Sequence, residues 1–174
     1  MKGLTSCLWF NNQAEEAARF YTSIFKHSKL GTITHYGGAA AGASGQPIGS
    51  VLTVEFELAG QKFLGLNGGP AFPHTEAVSF VVNCEDQDEI DEYWANLSAG
   101  GTPGPCGWLK DRYGLSWQVV PTTLNEMLAD ADPEKSERVM AALLQMQKLD
   151  LPTLKRAYEG KEPAARREGS PVRT

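Results

Sequence analysis

Alternating apolar and polar positions open the chain. Residues 4–10 (LTSCLWF) form a strand pattern with Thr5, Cys7 and Trp9 on one side and Ser6, Leu8 and Phe10 on the other. Asn12 followed by Glu15 is a capping-box-like start, and Ala14, Ala17, Ala18, Tyr21, Ile24 and Phe25 then recur at helical spacing. A second strand is predicted over 30–36. The stretch YGGAAAGASGQPIG matches no phosphate-binding glycine motif, and the pattern predicts a mobile loop there. Residues 50–58 alternate, with Leu52, Val54, Phe56 and Leu58 on one face. Gly60 makes a turn, and 61–67 returns as the partner strand.

The break NGGPAFPH (67–74) precedes a second copy of the same pattern. Residues 77–83 read as a buried strand, Asp86 with Glu89 as a capping signal, and Ile90, Tyr93, Trp94 and Leu97 as a helix stripe closed by Gly100 and Gly101. At an offset of 73, Ser6 matches Ser79, Glu16 matches Glu89, and Phe20-Tyr21 matches Tyr93-Trp94. In CGWLKDRYGLSWQVVP, two strand arms flank a tight charged centre. The predicted class is α+β: two βαβββ modules, about 3–68 and 76–121, in a domain spanning 1–121. A helical extension follows over 122–160. Asp132 caps its main helix ahead of Pro133, Val139, Met140, Leu143, Leu144 and Gln147 lie on one stripe, and Pro152 precedes a last short helix. The polar tail 161–174 is expected to be mobile.

Composition narrows the partners. A net charge of −5 over 174 residues argues against nucleic acid or an anionic membrane, both of which need a basic footprint. No apolar run approaches the roughly 20 residues of a membrane span, and the N-terminus has no signal-peptide core. Three widely spaced cysteines, Cys7, Cys84 and Cys106, read as reduced thiols in a cytoplasmic protein.

The blocks LWFNNQAEEAARFYTSIF, FLGLNGGPAF, AVSFVVNCEDQDEIDEYWANLSAGG and CGWLKDRYGLSWQVVP resemble the PhnB-like proteins of the vicinal oxygen chelate superfamily, over roughly residues 3–160. That superfamily includes glyoxalase I, ring-cleaving dioxygenases and the fosfomycin and bleomycin resistance proteins. The PhnB-like family often carries the label 3-demethylubiquinone-9 3-methyltransferase. The resemblance implies curved, mostly antiparallel half-barrel sheets around a small-molecule pocket, paired in a homodimer. Metal-dependent relatives hold a divalent ion with His and Glu on four strands. The corresponding positions here fall at Ser6, at Leu64 or Leu66, at Val78 or Ser79, and at Gln118. None is a good ligand for a divalent ion, so no cofactor is expected, and a metal would have to be held by non-standard groups.

The expected site is therefore a ligand pocket formed by Ser6, Trp9, Asn67, Ser79, Cys106, Trp108 and Gln118, with aromatic walls and a few amides suited to a small planar molecule. Gln118 facing inward sends its neighbour Trp117 outward. Three functions compete: an enzyme of the glyoxalase/dioxygenase class, a metal-independent protein that sequesters a ligand, and a protein-interaction module docking through its Met/Leu helix. Methyl transfer is disfavoured, because no glycine-rich loop follows a first parallel strand with an acidic ribose partner beyond it.

Overall fold

The computed structural model describes residues 3–161. The tail expected to be mobile lies outside them from residue 162 on. The chain is α+β. Its first module runs β1 (Ser6–Phe10), α1 (Ala14–Ile24), β2 (Lys29–His35), α2 (Gly38–Ser44), β3 (Val51–Leu58) and β4 (Gln61–Asn67). The second runs β5 (Ser79–Cys84), α3 (Gln87–Ser98), β6 (Thr102–Pro103), β7 (Trp108–Lys110) and β8 (Ser116–Pro121). Three helices follow: α4 (Leu124–Leu128), α5 (Pro133–Leu143) and α6 (Leu151–Tyr158).

The internal repeat is visible in the topology. The sheets are ordered β1-β4-β3-β2 and β5-β8-β7-β6, so each module pairs its first strand with its last. Both β5 and α3 begin 73 residues after their counterparts β1 and α1, the offset at which the two sequence halves match. In the first sheet, β1 runs parallel to β4 while the β3–β4 and β2–β3 pairs are antiparallel.

Register sorts the first sheet into two faces. Ser6 pairs with Phe63, Leu8 with Gly65 and Phe10 with Asn67, while Val54 and Phe56 pair with Gly65 and Phe63. This face carries α1, whose Ala14, Ala17, Ala18 and Tyr21 are buried. A Cβ on Gly65 would sit 3.1 Å from that of Ala14, so the glycine in FLGLN lets the helix lie close to the sheet. The opposite face presents Cys7 and Trp9 on β1, Lys62, Leu64 and Leu66 on β4, and Thr53, Glu55 and Glu57 on β3. The helix α1 leaves this face open.

Two expectations at helix ends need correction. The N-cap position of α1 is Gln13 with no side-chain cap, and Asn12 sits in the left-handed region at φ 67°. The acceptor comes from far along the chain: Asn67 Oδ1 takes the Ala14 N–H at 2.8 Å. Glu15 instead pairs with Arg19. The alanine-rich stretch after β2 is the helix α2 rather than a loop, ended by Gly45 in the left-handed conformation. Four alanines offset its glycines in helix propensity.

The other caps follow the sequence. Asp86 Oδ1 accepts the Glu89 N–H at 2.9 Å and Glu89 reaches back to the Glu85 N–H. Asp132 caps α5 ahead of Pro133. Pro152 lies within the first turn of α6 rather than before it, with Asp150 as N-cap. Gln87 ties this helical region to α3. Its amide donates to Asp91 and to the Leu149 carbonyl, and its oxygen accepts the Leu151 N–H at 2.7 Å. On α5, Val139 and Leu143 are buried, whereas Met140 and the C-cap residue Leu144 stay 37% and 61% exposed. The predicted stripe is therefore buried along only one of its edges.

The chain divides into two compact units. Among the described residues, one comprises 3–79 with Asn96–Thr102 and Lys110–Ser116; the other comprises Phe80–Ala95, Pro103–Leu109 and 117–161.

Candidate functional site

The uncovered face of the first sheet holds a hollow of about 480 Å³, within the usual size range of small-molecule sites. Thr5, Lys29, Gly31, Glu55, Lys62 and Leu64 line it. Leu64 is the floor, paired on one side with Cys7 and on the other with Glu55. Lys29 Nζ lies 3.5 Å from Glu57. Lys62 stands directly opposite Glu57 and diagonal to Glu55. Partial burial raises the pKa of the Cys7 thiol above its ordinary value although the residue is exposed, so it is less nucleophilic at neutral pH than a free thiol.

A second, smaller hollow of about 270 Å³ lies where β1 and β4 end, beside the turn 111–114. The NGGP segment shapes it. Trp9 Nε1 donates to the Gly69 carbonyl at 2.8 Å. A Cβ on Gly68 would fall 2.0 Å from the indole ring, so only glycine fits beneath Trp9. Phe72 meets Trp9 edge-on at 4.9 Å, and Phe10 does the same with His74 at 5.2 Å. Tyr113 forms the far wall, its hydroxyl donating to Glu16 at 2.9 Å. Burial, then that carboxylate, raise its pKa well above the ordinary tyrosine value.

Asp111 anchors the turn. Its Oδ1 accepts the Tyr113 and Leu115 N–H groups and its Oδ2 accepts the buried Tyr21 hydroxyl at 2.7 Å. Burial and the Asp111 charge together hold Tyr21 protonated, its pKa raised. Arg112 stacks over Phe20 at 4.5 Å and donates twice to the Ala99 carbonyl. The charged centre of the hairpin thus fixes its own unit together.

The residues expected to form one pocket are spread over different tasks. Ser6 lies on the α1 side of β1, in register with Phe63. Trp9 lies on the uncovered face, but its indole turns to the second hollow. Asn67 is buried at 3% exposure and is fully engaged: besides capping α1, its Nδ2 donates to the Val51 carbonyl at 3.1 Å, and its own carbonyl accepts the Tyr36 hydroxyl. Ser79 begins β5 half-buried. In the other unit, Cys106 sits at φ 56° in a turn whose N–H groups, with Gly107, bond the Met146 and Gln147 carbonyls. Trp108 and Gln118 are half-buried on β7 and β8. Gln118 alternates with Trp117, which is buried against Phe80 at 5.6 Å between ring centroids.

Glu55, Lys62 and the aromatic group around His74 had no distinguishing sequence signal. Cys7 did have one, since the β1 alternation places it with Trp9 and apart from Ser6.

The donor set does not fit the superfamily's divalent ion. The positions at which the resemblance places metal ligands hold Ser6, Leu64 or Leu66, Val78 or Ser79, and Gln118, with no His, Asp or Glu among them. Among the described residues no group of three or more His, Cys, Asp or Glu side chains is placed to hold a metal.

Paired βαβββ modules of identical strand order are the architecture of the vicinal oxygen chelate superfamily, and the chain is a protein of that class. The sequence model of a family described as 3-demethylubiquinone-9 3-methyltransferase matches residues 2–120. The chain belongs to this PhnB family. A structure described as a putative 3-demethylubiquinone-9 3-methyltransferase, PhnB protein, from Bacillus cereus is 32% identical, with 69% of this chain and 99% of that one covered at a TM-score of 0.60. A Pseudomonas aeruginosa protein shares the fold at 18% identity and a TM-score of 0.55, covering 70% and 98%. So does the fosfomycin resistance protein FosX from Listeria monocytogenes, at 17% identity and a TM-score of 0.51, covering 75% and 99%. Curated proteins provide no match. None of the described helices is long and apolar enough to cross a membrane.

Proposed function

We propose that this PhnB-family protein binds a small molecule on the uncovered face of its first sheet, working as a cytoplasmic homodimer without a bound metal. One observation carries the reading. A hollow of about 480 Å³ with an apolar floor at Leu64 and charged groups at its sides, Glu55 and Lys62, lies on the one face of that sheet that α1 does not cover. The charges favour a ligand with polar groups around an apolar body over a purely hydrocarbon one. Three free cysteines fit a reducing compartment. Val81, half exposed on β5, with Met140 on α5 and Leu144 at its C-cap, supplies apolar surface for a subunit contact. The family label of methyl transfer draws no support from the chain. After β1 it continues Asn11-Asn12-Gln13, without the glycine turn that nucleotide-binding methyltransferases use.

The test is a thermal-shift screen of small polar-apolar compounds on wild type and Leu64→Arg, with and without chelator. The expected result is a stabilising ligand whose effect is lost in Leu64→Arg and unchanged by chelator. One tightly bound metal per chain, or a ligand effect abolished by chelator, overturns the metal-free reading. A ligand indifferent to Leu64→Arg overturns the location. Sedimentation equilibrium reads the dimer directly.

A further inference from the structure

The hollow on the open face of the first sheet carries both signs of charge in balance. Lys29, Glu55, Glu57 and Lys62 line it, so its ionisable side chains sum to zero. One cation and one carboxylate are already matched, Lys29 with Glu57 at 3.5 Å. Lys62 and Glu55 are not. Among the described residues neither takes part in an ion pair or a side-chain hydrogen bond, although they stand diagonally across β4 and β3.

The backbone keeps room beside this pair. The β2–β3 register shifts between Leu30 and Ile33, which sets two residues, Gly31 and Thr32, against the single Glu55. A Cβ on Gly31 would lie 3.0 Å from that of Glu55, so any side chain at 31 would crowd Glu55 from the wall of the hollow. Leu64, directly opposite Glu55 and two residues from Lys62 on the same strand face, supplies the apolar floor.

One unmatched cation, one unmatched carboxylate and an apolar surface therefore meet in one hollow. Diagonal neighbours stand about 7–8 Å apart. Two hydrogen bonds of about 2.9 Å with a small charge pair between them fill such a separation. A ligand with only a carboxylate would satisfy Lys62 but sit beside Glu55. One with only an ammonium would satisfy Glu55 but sit beside Lys62. Each sets like charges together, which costs affinity, and a molecule that bears both groups avoids this.

We infer that the sheet-face hollow takes a zwitterion, an α-amino acid with an aliphatic side chain. Its carboxylate pairs with Lys62, its ammonium with Glu55, and its side chain covers Leu64. This rests on the proposal that the open face is the ligand site, and adds the class of ligand.

The probe is L-leucine. Its comparisons are 4-methylpentanoate, which lacks the ammonium, and 3-methylbutylamine, which lacks the carboxylate. Affinities come from chemical-shift titration of ¹⁵N-labelled protein. The expected result is leucine binding with shifts centred on β3 and β4, and each analogue roughly threefold to tenfold weaker, the worth of one hydrogen bond. Lys62→Met should erase the preference over 3-methylbutylamine, and Glu55→Gln the preference over 4-methylpentanoate. Both residues are exposed, so these variants leave the core intact. The inference is overturned if either analogue binds wild type as tightly as leucine, if leucine affinity ignores both substitutions, or if leucine at its solubility limit causes no shifts. Leucine shifts that persist in Leu64→Arg overturn the location, and with it both readings. A screening compound that still depends on Leu64 while leucine fails overturns the amino-acid assignment alone.

Discussion

Replacing Asn67 with alanine should weaken the fold without touching the sheet-face hollow. Three bonds meet at this residue. Its Oδ1 accepts the first α1 N–H, Ala14, at 2.8 Å, its Nδ2 donates to the Val51 carbonyl at 3.1 Å, and its backbone carbonyl accepts the Tyr36 hydroxyl. Alanine keeps only the last. Losing a side-chain acceptor at a helix start costs about 1 kcal/mol. Leaving the Val51 carbonyl without its donor adds about 1–2 kcal/mol, toward the low end because Val51 is half-buried. The sum is about 2–3 kcal/mol, or roughly 4–12 °C in Tm for a chain of this size. Chemical denaturation monitored by circular dichroism measures it. Asn67→Asp separates the two contributions: it keeps an acceptor for Ala14, beside a helix N-terminus that favours negative charge, and sets an oxygen against the Val51 carbonyl. It should fall between wild type and Asn67→Ala. A denaturation midpoint for Asn67→Ala within about 0.5 kcal/mol of wild type would refute the capping argument. Ligand affinity lost with stability intact would return Asn67 to the pocket.

Three further outcomes follow from the same structure. Gly68→Ala places a Cβ 2.0 Å from the Trp9 ring, so the indole must leave Gly69 or the backbone must shift. Destabilisation of about 1–3 kcal/mol is expected, with a changed tryptophan emission, and a wild-type spectrum and midpoint would refute the close packing. Burial, reinforced by Glu89 and Asp86, pushes the Cys84 thiol up to about 12. In the unfolded chain it ionises at its ordinary value, so between these two pH values the native state holds more protons. Stability should therefore fall as pH rises above about 9, and Cys84→Ala should flatten that decline. Native-state thiol labelling should reach exposed Cys7 and half-buried Cys106 well before buried Cys84.

Much of the fold is legible in the chain because its signals are local. Alternation marks β1, β3 and β4, and Asp86 and Asp132 cap the helices that the pattern places after them. The 73-residue repeat emerges as two sheets of identical strand order. The α1 start was misleading, since Asn12 and Glu15 have the right spacing but the acceptor belongs to Asn67, 53 residues away. The glycine-alanine stretch read as a loop because glycine outweighed alanine in the pattern, yet α2 forms.

The site was less legible. Counting from family positions selected Ser6, although strand alternation sets it opposite Trp9. Period-two geometry was the better guide, because a shift of one residue reverses every side chain. Asn67, a polar residue beside NGGP, carries no mark in sequence that distinguishes a ligand contact from a buried cap.

By itself, the sequence determined the class, the repeat, the family and the place of most elements, because hydrophobic period, caps and glycines act within a few residues. Only the tertiary structure decided what the polar and aromatic side chains do. It set Asn67 under α1, stood Glu55 and Lys62 over Leu64, and gathered Trp9, Phe72, His74 and Tyr113 around one hollow. Those neighbours come from strand register and from contacts between residues as far as about a hundred positions apart, and no local pattern encodes them.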